Sequence, residues 1–117
     1  MDESPKRILV VDDERHIVRL IQVNLERNGY EVVVAFGGRQ AIEILSKQSF
    51  DRAIVDYRMP DVNGYQVLEF IRSDARIKDT WVLLLTKASD DLEAIKAFPH
   101  KANSYVMPPF NPVDWMS

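Results

Sequence analysis

The sequence predicts an α/β fold in which a parallel sheet of five strands is doubly wound by helices. Short apolar runs alternate with segments whose apolar residues recur at helical spacing, and this alternation repeats five times along the chain. The apolar runs are unbroken, which is typical of strands that are buried on both faces of a sheet. At 117 residues the chain has the length of one domain with a sizeable core, so we expect a single domain over residues 1–117.

The strands are predicted from these apolar runs and from the residues that stop them. The first run ends at three consecutive acids, Asp12-Asp13-Glu14, and the third ends at Asp56. The second run is rich in β-branched residues, the fourth ends at Thr86-Lys87, and the short fifth run is broken by Pro108-Pro109. The predicted strands span residues 7–11, 30–35, 53–55, 81–85 and 104–107.

The helices are predicted from apolar residues at spacings of three and four. The first helix stops at Asn28-Gly29, where Gly29 suits the left-handed position that ends many helices. Ser89 is the predicted N-cap of the fourth helix, and Pro99 ends that helix. The last helix starts at Asn111-Pro112 and is truncated, because the sequence stops after barely two turns. The other predicted helices span residues 14–28, 39–47, 65–73 and 89–98. The apolar residues expected to face the sheet are Ile17, Val18, Leu20, Ile21, Leu25, Ala41, Ile42, Leu45, Val67, Leu68, Ile71, Leu92, Ile95 and Phe98.

The composition argues against several classes of protein. The net charge of −3 argues against a nucleic-acid-binding module, and the absence of cysteine excludes disulfides, thiolate catalysis and Cys-zinc sites. His16 and His100 are far apart and match no metal-ligand spacing. No stretch has the ~18 apolar residues of a membrane span, and no signal peptide opens the chain. We therefore expect a cytoplasmic protein with no membrane or direct nucleic-acid partner.

Polar side chains follow three strands that are neighbours in such a sheet. Asp12-Asp13 follow the first strand, Asp56 follows the third, and Thr86-Lys87 follow the fourth. Because ligands of open α/β sheets bind beyond the carboxyl ends of the strands, three carboxylates should converge in one crevice. Like charges so close together repel unless a cation neutralises them, and Mg²⁺ suits carboxylate and water ligands. A carboxylate beside Mg²⁺ can be the nucleophile in phosphoryl transfer, while the Thr86 hydroxyl can bond a phosphoryl oxygen.

Structural explanations compete with this hypothesis. Asp56 can be a turn or N-cap residue, and Asp12-Asp13-Glu14 can be the solvated first turn of a helix, which explains Glu14 better than Asp12. No phosphate-binding loop accompanies the acids, because Gly37-Gly38 lacks the Lys-Ser/Thr of such a loop and no G-x-G-x-x-G occurs. A phosphoryl donor would therefore be another protein or a small molecule.

Several separate motifs match one known family in order and spacing. They are Ile8-Leu9-Val10-Val11-Asp12-Asp13-Glu14, Asp56-Tyr57-Arg58-Met59-Pro60-Asp61-Val62-Asn63-Gly64, Leu85-Thr86, and the segment from Tyr105 through Pro109-Phe110. Together they resemble the receiver domain of bacterial two-component response regulators, the CheY-like domains. The resemblance covers residues 6–112 and implies the flavodoxin-like (βα)5 receiver fold.

The resemblance implies a role for each residue of the crevice. Asp56 would accept a phosphoryl group from a histidine of a sensor kinase or phosphotransfer protein. The residues that would hold Mg²⁺ are Asp12, Asp13, Asp56 and Arg58, the last through its backbone carbonyl. Thr86 would bond the phosphoryl oxygen and move toward it on activation, and Tyr105 would be the aromatic switch that packs inward. The phosphorylated state would change the binding of a downstream effector or output domain.

The sequence departs from the family at the end of the fifth strand. Receivers usually carry a lysine just before the proline of a Lys-Pro-Phe segment, and here that segment is Pro108-Pro109-Phe110. The lysine supplies a cation that pairs with the phosphoryl group, which proline does not. Lys87 either reaches over the crevice and replaces part of this cation, or points to solvent. The matching peptide bond in receivers implies a cis Pro108–Pro109 bond.

Other departures fall on the face formed by the fourth helix, the fifth strand and the last helix. They include Pro99 and Lys101, the latter where the family often has glycine. Receivers commonly use this face to form a homodimer or to contact effectors. The departures therefore bear on output and dimer geometry more than on the fold or the metal site.

The sequence thus predicts a signalling receiver that is phosphorylated at Asp56, and not an enzyme. One alternative is a degenerate receiver that binds partners without a phosphorylation cycle. Another is a carboxylate-plus-Mg²⁺ phosphatase, but that class usually needs a second aspartate at the position of Arg58.

Overall fold

The computed structural model describes residues 6–107, in which five strands form one parallel sheet in the order β2-β1-β3-β4-β5. The strands are β1 (Arg7–Val11), β2 (Glu31–Ala35), β3 (Arg52–Asp56), β4 (Trp81–Leu85) and β5 (Ser104–Val106). The helices in these residues are α1 (Arg15–Arg27), α2 (Gly38–Leu45), α3 (Gly64–Ser73) and α4 (Ser89–Ala97). The predicted doubly wound, five-stranded fold is confirmed. No helix within residues 6–107 is both long enough and apolar enough to cross a membrane.

The sheet is buried on both faces, as the unbroken apolar runs predicted. Leu9 and Val55 face one side, where they pack in a cluster with residues of α2, α3 and α4. Val10 and Ile54 face the other side, where they pack with residues of α1. Strands β1, β3 and β4 each bury four of their five residues. The carboxyl ends of these three strands are therefore held firmly, and the predicted site lies beyond them.

Two glycines allow helices to begin close to the functional edge of the sheet. A Cβ atom on Gly64 would lie 2.4 Å from the Asp56 carbonyl oxygen, and one on Gly38 would lie 2.2 Å from the Val62 carbonyl oxygen. Both distances are far below van der Waals contact, so any side chain at either position would displace backbone. Glycine at position 64 therefore lets α3 start directly against the end of β3.

The predicted elements are all present in the described residues, with ends that differ by at most two residues. Gly29 has a φ of 89°, which confirms its place at the left-handed end of α1. The prediction that Ser89 caps α4 is wrong, because Ala88 occupies the N-cap position and Ser89 is the first helical residue. Leu20 is not a core residue, since it is 51% exposed and lies outside the buried stripe of α1. The remaining apolar helix residues that we expected to face the sheet are buried or half-buried.

The predicted last helix, the Pro108–Pro109 bond and the position that usually carries the receiver lysine lie outside the described residues.

Candidate functional site

The carboxyl ends of β1 and β3 bring three carboxylates together, as the sequence predicted. Asp12 and Asp13 directly follow β1, and Asp56 is the last residue of β3. One carboxylate oxygen from each residue lies within 4.8 Å of those of the other two. Asp12 is 1% exposed and Asp56 is 3% exposed, whereas Asp13 is open to solvent. The cluster therefore has two buried carboxylates with a third at its mouth.

Backbone hydrogen bonds fix the positions of these strand ends. The Asp12 N–H donates to the Ala35 carbonyl at 3.1 Å, and the Asp12 Oδ1 atom accepts from the Glu14 N–H at 2.9 Å. The Tyr57 N–H, next to Asp56, donates to the Leu85 carbonyl at 2.9 Å. Helix α1 begins only at Arg15, so Asp12-Asp13 do not form its first turn. The helix-turn explanation of these acids is therefore wrong.

The loop after Asp56 is closed by a cap at the start of α3. The Gly64 N–H donates to the Tyr57 carbonyl at 2.7 Å. The Asn63 side chain accepts from the Gln66 N–H and the Gln66 side chain accepts from the Asn63 N–H, both at 2.9 Å, which is a capping box. Asn63 is thus the N-cap, and the alternative in which Asp56 caps this helix is also wrong.

Burial disfavours the ionised forms of the two deepest carboxylates of the cluster. Burial, followed by the neighbouring Asp12 carboxylate, raises the pKa of Asp56 to about 7. Burial likewise raises the pKa of Asp12, although its hydrogen bond from the Glu14 backbone opposes this. Both shifts mean that the charged forms of these carboxylates are poorly solvated and, at Asp56, also repelled by a neighbouring acid. A cation bound among the three carboxylates would relieve the repulsion.

Thr86 lies at the same edge of the sheet, directly after β4. Its backbone N–H donates to the Val106 carbonyl at 2.9 Å, which ties it to β5. The side chain is 1% exposed, yet its Oγ1 atom has no hydrogen-bond partner among the described residues. A buried hydroxyl without a partner is costly in a folded protein. Within residues 6–107 nothing else occupies this hydroxyl, which leaves it available there for an incoming oxygen ligand.

Two ion pairs that the sequence did not predict connect the loops around this edge. The Lys87 ammonium pairs with the Glu14 carboxylate, which joins the loop after β4 to the loop after β1. The Arg58 guanidinium makes a two-point pair with Asp91 in α4, with an Nε–Oδ2 distance of 2.6 Å and an Nη2–Oδ1 distance of 2.7 Å. Hydrogen bonding to Lys87 lowers the pKa of Glu14, and hydrogen bonding to Arg58 lowers that of Asp91.

Tyr105, the predicted switch residue, is half-buried in β5. Its ring packs against the cluster of the α2–α4 side, and its hydroxyl accepts a hydrogen bond from the Ala102 N–H at 3.0 Å. The Lys96 Nζ atom lies 5.7 Å from the ring centroid. Because β4 and β5 pair Leu84 with Tyr105, the tyrosine lies on the strand next to Thr86.

The donor set of the cluster fits a hard divalent cation. All three groups offer carboxylate oxygens, which Mg²⁺ and Ca²⁺ prefer, and the open side at Asp13 leaves room for water ligands. The Arg58 backbone lies in the loop that follows Asp56, and its carbonyl remains a predicted fourth ligand. The acidic pocket itself, formed by Asp12, Asp13 and Asp56, is present as predicted.

Comparisons with known proteins agree with this geometry. The family model of the response regulator receiver domain matches residues 8–117. The chain is 36% identical to the regulatory protein VanRc of Enterococcus gallinarum over 109 residues, which cover 93% of this chain and 46% of that protein. It is 34% identical over 107 residues to the alkaline phosphatase synthesis transcriptional regulatory protein PhoP of Bacillus subtilis, and these residues cover 92% of this chain and 44% of PhoP. The chain thus spans about half the length of the curated relatives that it matches.

A solved structure shows the same arrangement of elements. The receiver domain of the sensor histidine kinase PA1611 from Pseudomonas aeruginosa superimposes with a TM-score of 0.85 at 26% identity, covering 96% of this chain and 92% of that one. That structure is described as having a magnesium ion coordinated in its active-site cleft. The family match extends over almost the whole sequence and includes the strand ends that carry the three acids. This chain therefore belongs to the family of response regulator receiver domains.

Proposed function

We propose that this receiver accepts a phosphoryl group on Asp56 in a Mg²⁺-dependent reaction and thereby changes its binding to a partner. The observation that carries the proposal is the three-carboxylate cluster, in which the buried Asp56 lies within 4.8 Å of two further acids. Mg²⁺ would be held by Asp12, Asp13, Asp56 and the Arg58 carbonyl, and when bound it would neutralise both the carboxylates and the incoming phosphoryl oxygens.

Asp56 acts as the nucleophile in this proposal. One of its carboxylate oxygens attacks the phosphorus of a phosphohistidine on a sensor kinase or phosphotransfer protein. The P–N bond breaks, its electron pair returns to the imidazole nitrogen, and that nitrogen takes up a proton. The nucleophile must be ionised, whereas burial raises its pKa to about 7 in the metal-free protein. A cation in the pocket would lower this pKa and so increase the ionised fraction of Asp56 at neutral pH.

Thr86 and Tyr105 link the site to β5, the strand that pairs with β4 on the side away from β3. The unpartnered Thr86 hydroxyl would donate to a phosphoryl oxygen, which satisfies a buried group that has no partner among the described residues. Movement of Thr86 would shift β5, because the Thr86 N–H donates a hydrogen bond to the Val106 carbonyl. Tyr105 would then exchange its half-buried position for a more inward one.

The partners follow from this chemistry. The chain has no nucleotide loop, so the phosphoryl group comes from a phosphohistidine protein or a small acyl phosphate. The names of VanRc and PhoP describe regulatory proteins, and both extend well beyond the part that matches this chain. This supports an effector or output domain as the downstream partner, with the face of α4 and β5 as the surface for it or for a homodimer. We place this signalling in the cytoplasm.

Phosphorylation can be tested by incubating the protein with Mg²⁺ and acetyl phosphate, quenching in acid and measuring the intact mass. The parent should gain one phosphoryl group, and Asp56→Asn should gain none. Asp79→Asn is the matched control, because Asp79 is an exposed aspartate in the segment that leads into β4, at the opposite edge of the sheet. Asp13→Ala keeps the acceptor but loses a metal ligand, so it should need roughly tenfold more Mg²⁺ for the same yield.

The same experiment separates the phosphoacceptor from the degenerate receiver. A parent protein that gains no mass at any Mg²⁺ concentration would be a protein-interaction module without a phosphorylation cycle. Continuous hydrolysis of acetyl phosphate with no detectable phosphoprotein would instead point to a phosphatase. Equal mass gain in the parent and in Asp56→Asn would place the acceptor elsewhere.

A further inference from the structure

The ion pair between Glu14 and Lys87 crosses the end of the strand that carries Asp56. Glu14 belongs to the loop after β1, and Lys87 belongs to the loop after β4. In the sheet, β3 lies between β1 and β4, and Asp56 is its last residue. The Glu14–Lys87 pair joins the loops of the two strands that flank β3, so it spans the carboxyl end of the strand that carries Asp56.

The backbone of Lys87 is held in place at the crevice, while its side chain keeps some conformational freedom. Thr86, the preceding residue, is buried and tied to the Val106 carbonyl, so the start of the Lys87 side chain is fixed at the rim of the crevice. The Lys87 side chain is 44% exposed and that of Glu14 is 39% exposed. Ion pairs this exposed are weakly held, so the ammonium can change partners at small cost.

The charge of Lys87 already acts on the pocket. It lowers the pKa of both Asp56 and Asp12, in opposition to their burial, and these two carboxylates in turn help to raise the pKa of Lys87. Glu14 would not be left without a neighbour if the ammonium moved away, because its Oε2 atom lies 3.5 Å from the His16 Nε2 atom. If the ammonium moved to the pocket, it would therefore gain negatively charged neighbours, and the Glu14 carboxylate would keep His16 beside it.

The sequence lacks the cation that receivers usually place beside the phosphoryl group. Pro108 stands where receivers usually carry the lysine that pairs with the phosphoryl group. A phosphoryl group brings about −1.5 to −2 charges, and here it enters a pocket that already holds three carboxylates. A phosphoryl oxygen bonded by an ammonium forms a charge-assisted hydrogen bond, which is stronger than a bond between neutral groups.

We propose that Lys87 is the phosphoryl-binding cation of this receiver, and that it leaves Glu14 to pair with the phosphoryl group on Asp56. This inference rests on the proposed phosphorylation of Asp56. It assigns a role at the active site to the residue after Thr86, in the loop that follows β4, in place of the lysine that receivers usually carry just before the proline of the Lys-Pro-Phe segment. Glu14 serves as its resting partner and holds the ammonium over the crevice before phosphorylation.

The proposal can be tested with beryllofluoride, a mimic of the phosphoryl group, titrated into the protein at saturating Mg²⁺ and followed by ¹⁹F NMR. Lys87→Ala should weaken the mimic's affinity by roughly tenfold or more, and Lys87→Arg should restore most of it. Glu14→Gln should bind the mimic at least as tightly as the parent, because it frees the ammonium. Lys47→Ala, which removes an exposed lysine beyond the end of α2, should leave the affinity unchanged.

A second measurement distinguishes a direct contact from general damage to the fold. Lys87→Ala should bind Mg²⁺ alone as tightly as the parent or more tightly, because it removes a positive charge near the metal ligands. Weaker binding of both Mg²⁺ and the mimic would indicate a structural role and would overturn the proposal. Unchanged mimic affinity in Lys87→Ala would also overturn it, while leaving Asp56 phosphorylation intact. A parent that binds no mimic and gains no phosphoryl group would overturn both proposals.

Discussion

The central strands and the edge strand β5 differ in how deeply the protein buries them. Strands β1, β3 and β4 have five residues each, of which four are buried. Strand β5 has three residues, and all are half-buried. The central strands pair on both sides, whereas β5 pairs only with β4 in the described sheet. The sheet is therefore tightly held at its centre and loosely held at this edge.

This difference matches the two tasks of a receiver. Asp12, Asp56 and Thr86 lie at the ends of central strands and are at most 3% exposed. The residues to which we assign the proposed phosphoryl chemistry therefore lie in the most deeply buried part of the sheet. Tyr105 lies on the edge strand, where its hydroxyl rests on a single described contact, the Ala102 N–H. Segments with few buried contacts change conformation at small cost in free energy, which is what the proposed switch at Tyr105 requires of β5.

The largest effect that should sharpen this comparison is on stability, when side chains are truncated to alanine on the neighbouring strands β4 and β5. Leu84→Ala removes a fully buried side chain from β4 and should lower the free energy of unfolding by ~2–5 kcal/mol. Val106→Ala removes a smaller, half-buried side chain from β5 and should cost ~1 kcal/mol or less. Urea denaturation of both variants measures the difference. Equal losses would show that the edge strand is held as firmly as the centre.

The next effect is a pH dependence of the free energy of unfolding, and it arises from Asp56 on the central strand β3. The pKa of Asp56 in the folded, metal-free protein is raised to about 7 from an ordinary value of 3.8. Between these values the folded state keeps a proton that the unfolded chain has lost, so the free energy of unfolding falls as pH rises through this window. The difference between the folded and unfolded pKa of Asp56 corresponds to at most ~4 kcal/mol of unfolding free energy. We expect a loss of ~1–3 kcal/mol, because the site can relax and admit water.

Asp56→Asn removes this titration and should be more stable than the metal-free parent at pH 8 but not at pH 4. Thermal unfolding of both proteins across that range measures the difference. Saturating Mg²⁺ should reduce the gap, because it stabilises the ionised parent. A gap that does not change with pH would mean that Asp56 titrates in the folded state as it does in the unfolded chain.

The sheet and the acidic cluster could be predicted because both depend on local sequence and on topology. Unbroken apolar runs identify strands buried on both faces, and parallel strands place their carboxyl ends at one edge. Asp12 and Asp56 follow two such runs, so their proximity required no knowledge of side-chain conformation. The start of α3 also carries a readable signal, since the spacing of Asn63 and Gln66 is that of a capping box.

Other features depend on distances and rotamers that no local pattern encodes. The pairing of Lys87 with Glu14 joins two loops through long side chains, which have many rotamers to choose from. Glycine at position 64 is needed because the Asp56 carbonyl approaches α3 closely, a tertiary contact that is invisible in a turn motif. Ser89 is a good capping residue by type, but α4 starts one position earlier than that prediction required, with Ala88 at the cap.

The smallest effect should come from Tyr105→Phe, which removes one hydroxyl from the edge strand. The Ala102 N–H loses its hydrogen bond to that hydroxyl, which should cost ~0.5–1.5 kcal/mol of stability. Hydrogen exchange at Ala102 should quicken, while exchange at Tyr57, whose N–H bonds the Leu85 carbonyl between the central strands β3 and β4, should be unchanged. Tyr30→Phe, on the α1 side of the sheet, is the control for loss of a tyrosine hydroxyl and should leave exchange at Ala102 unaltered. Faster exchange at Tyr57 in Tyr105→Phe would contradict the comparison, because it would mean that the edge and the centre open together.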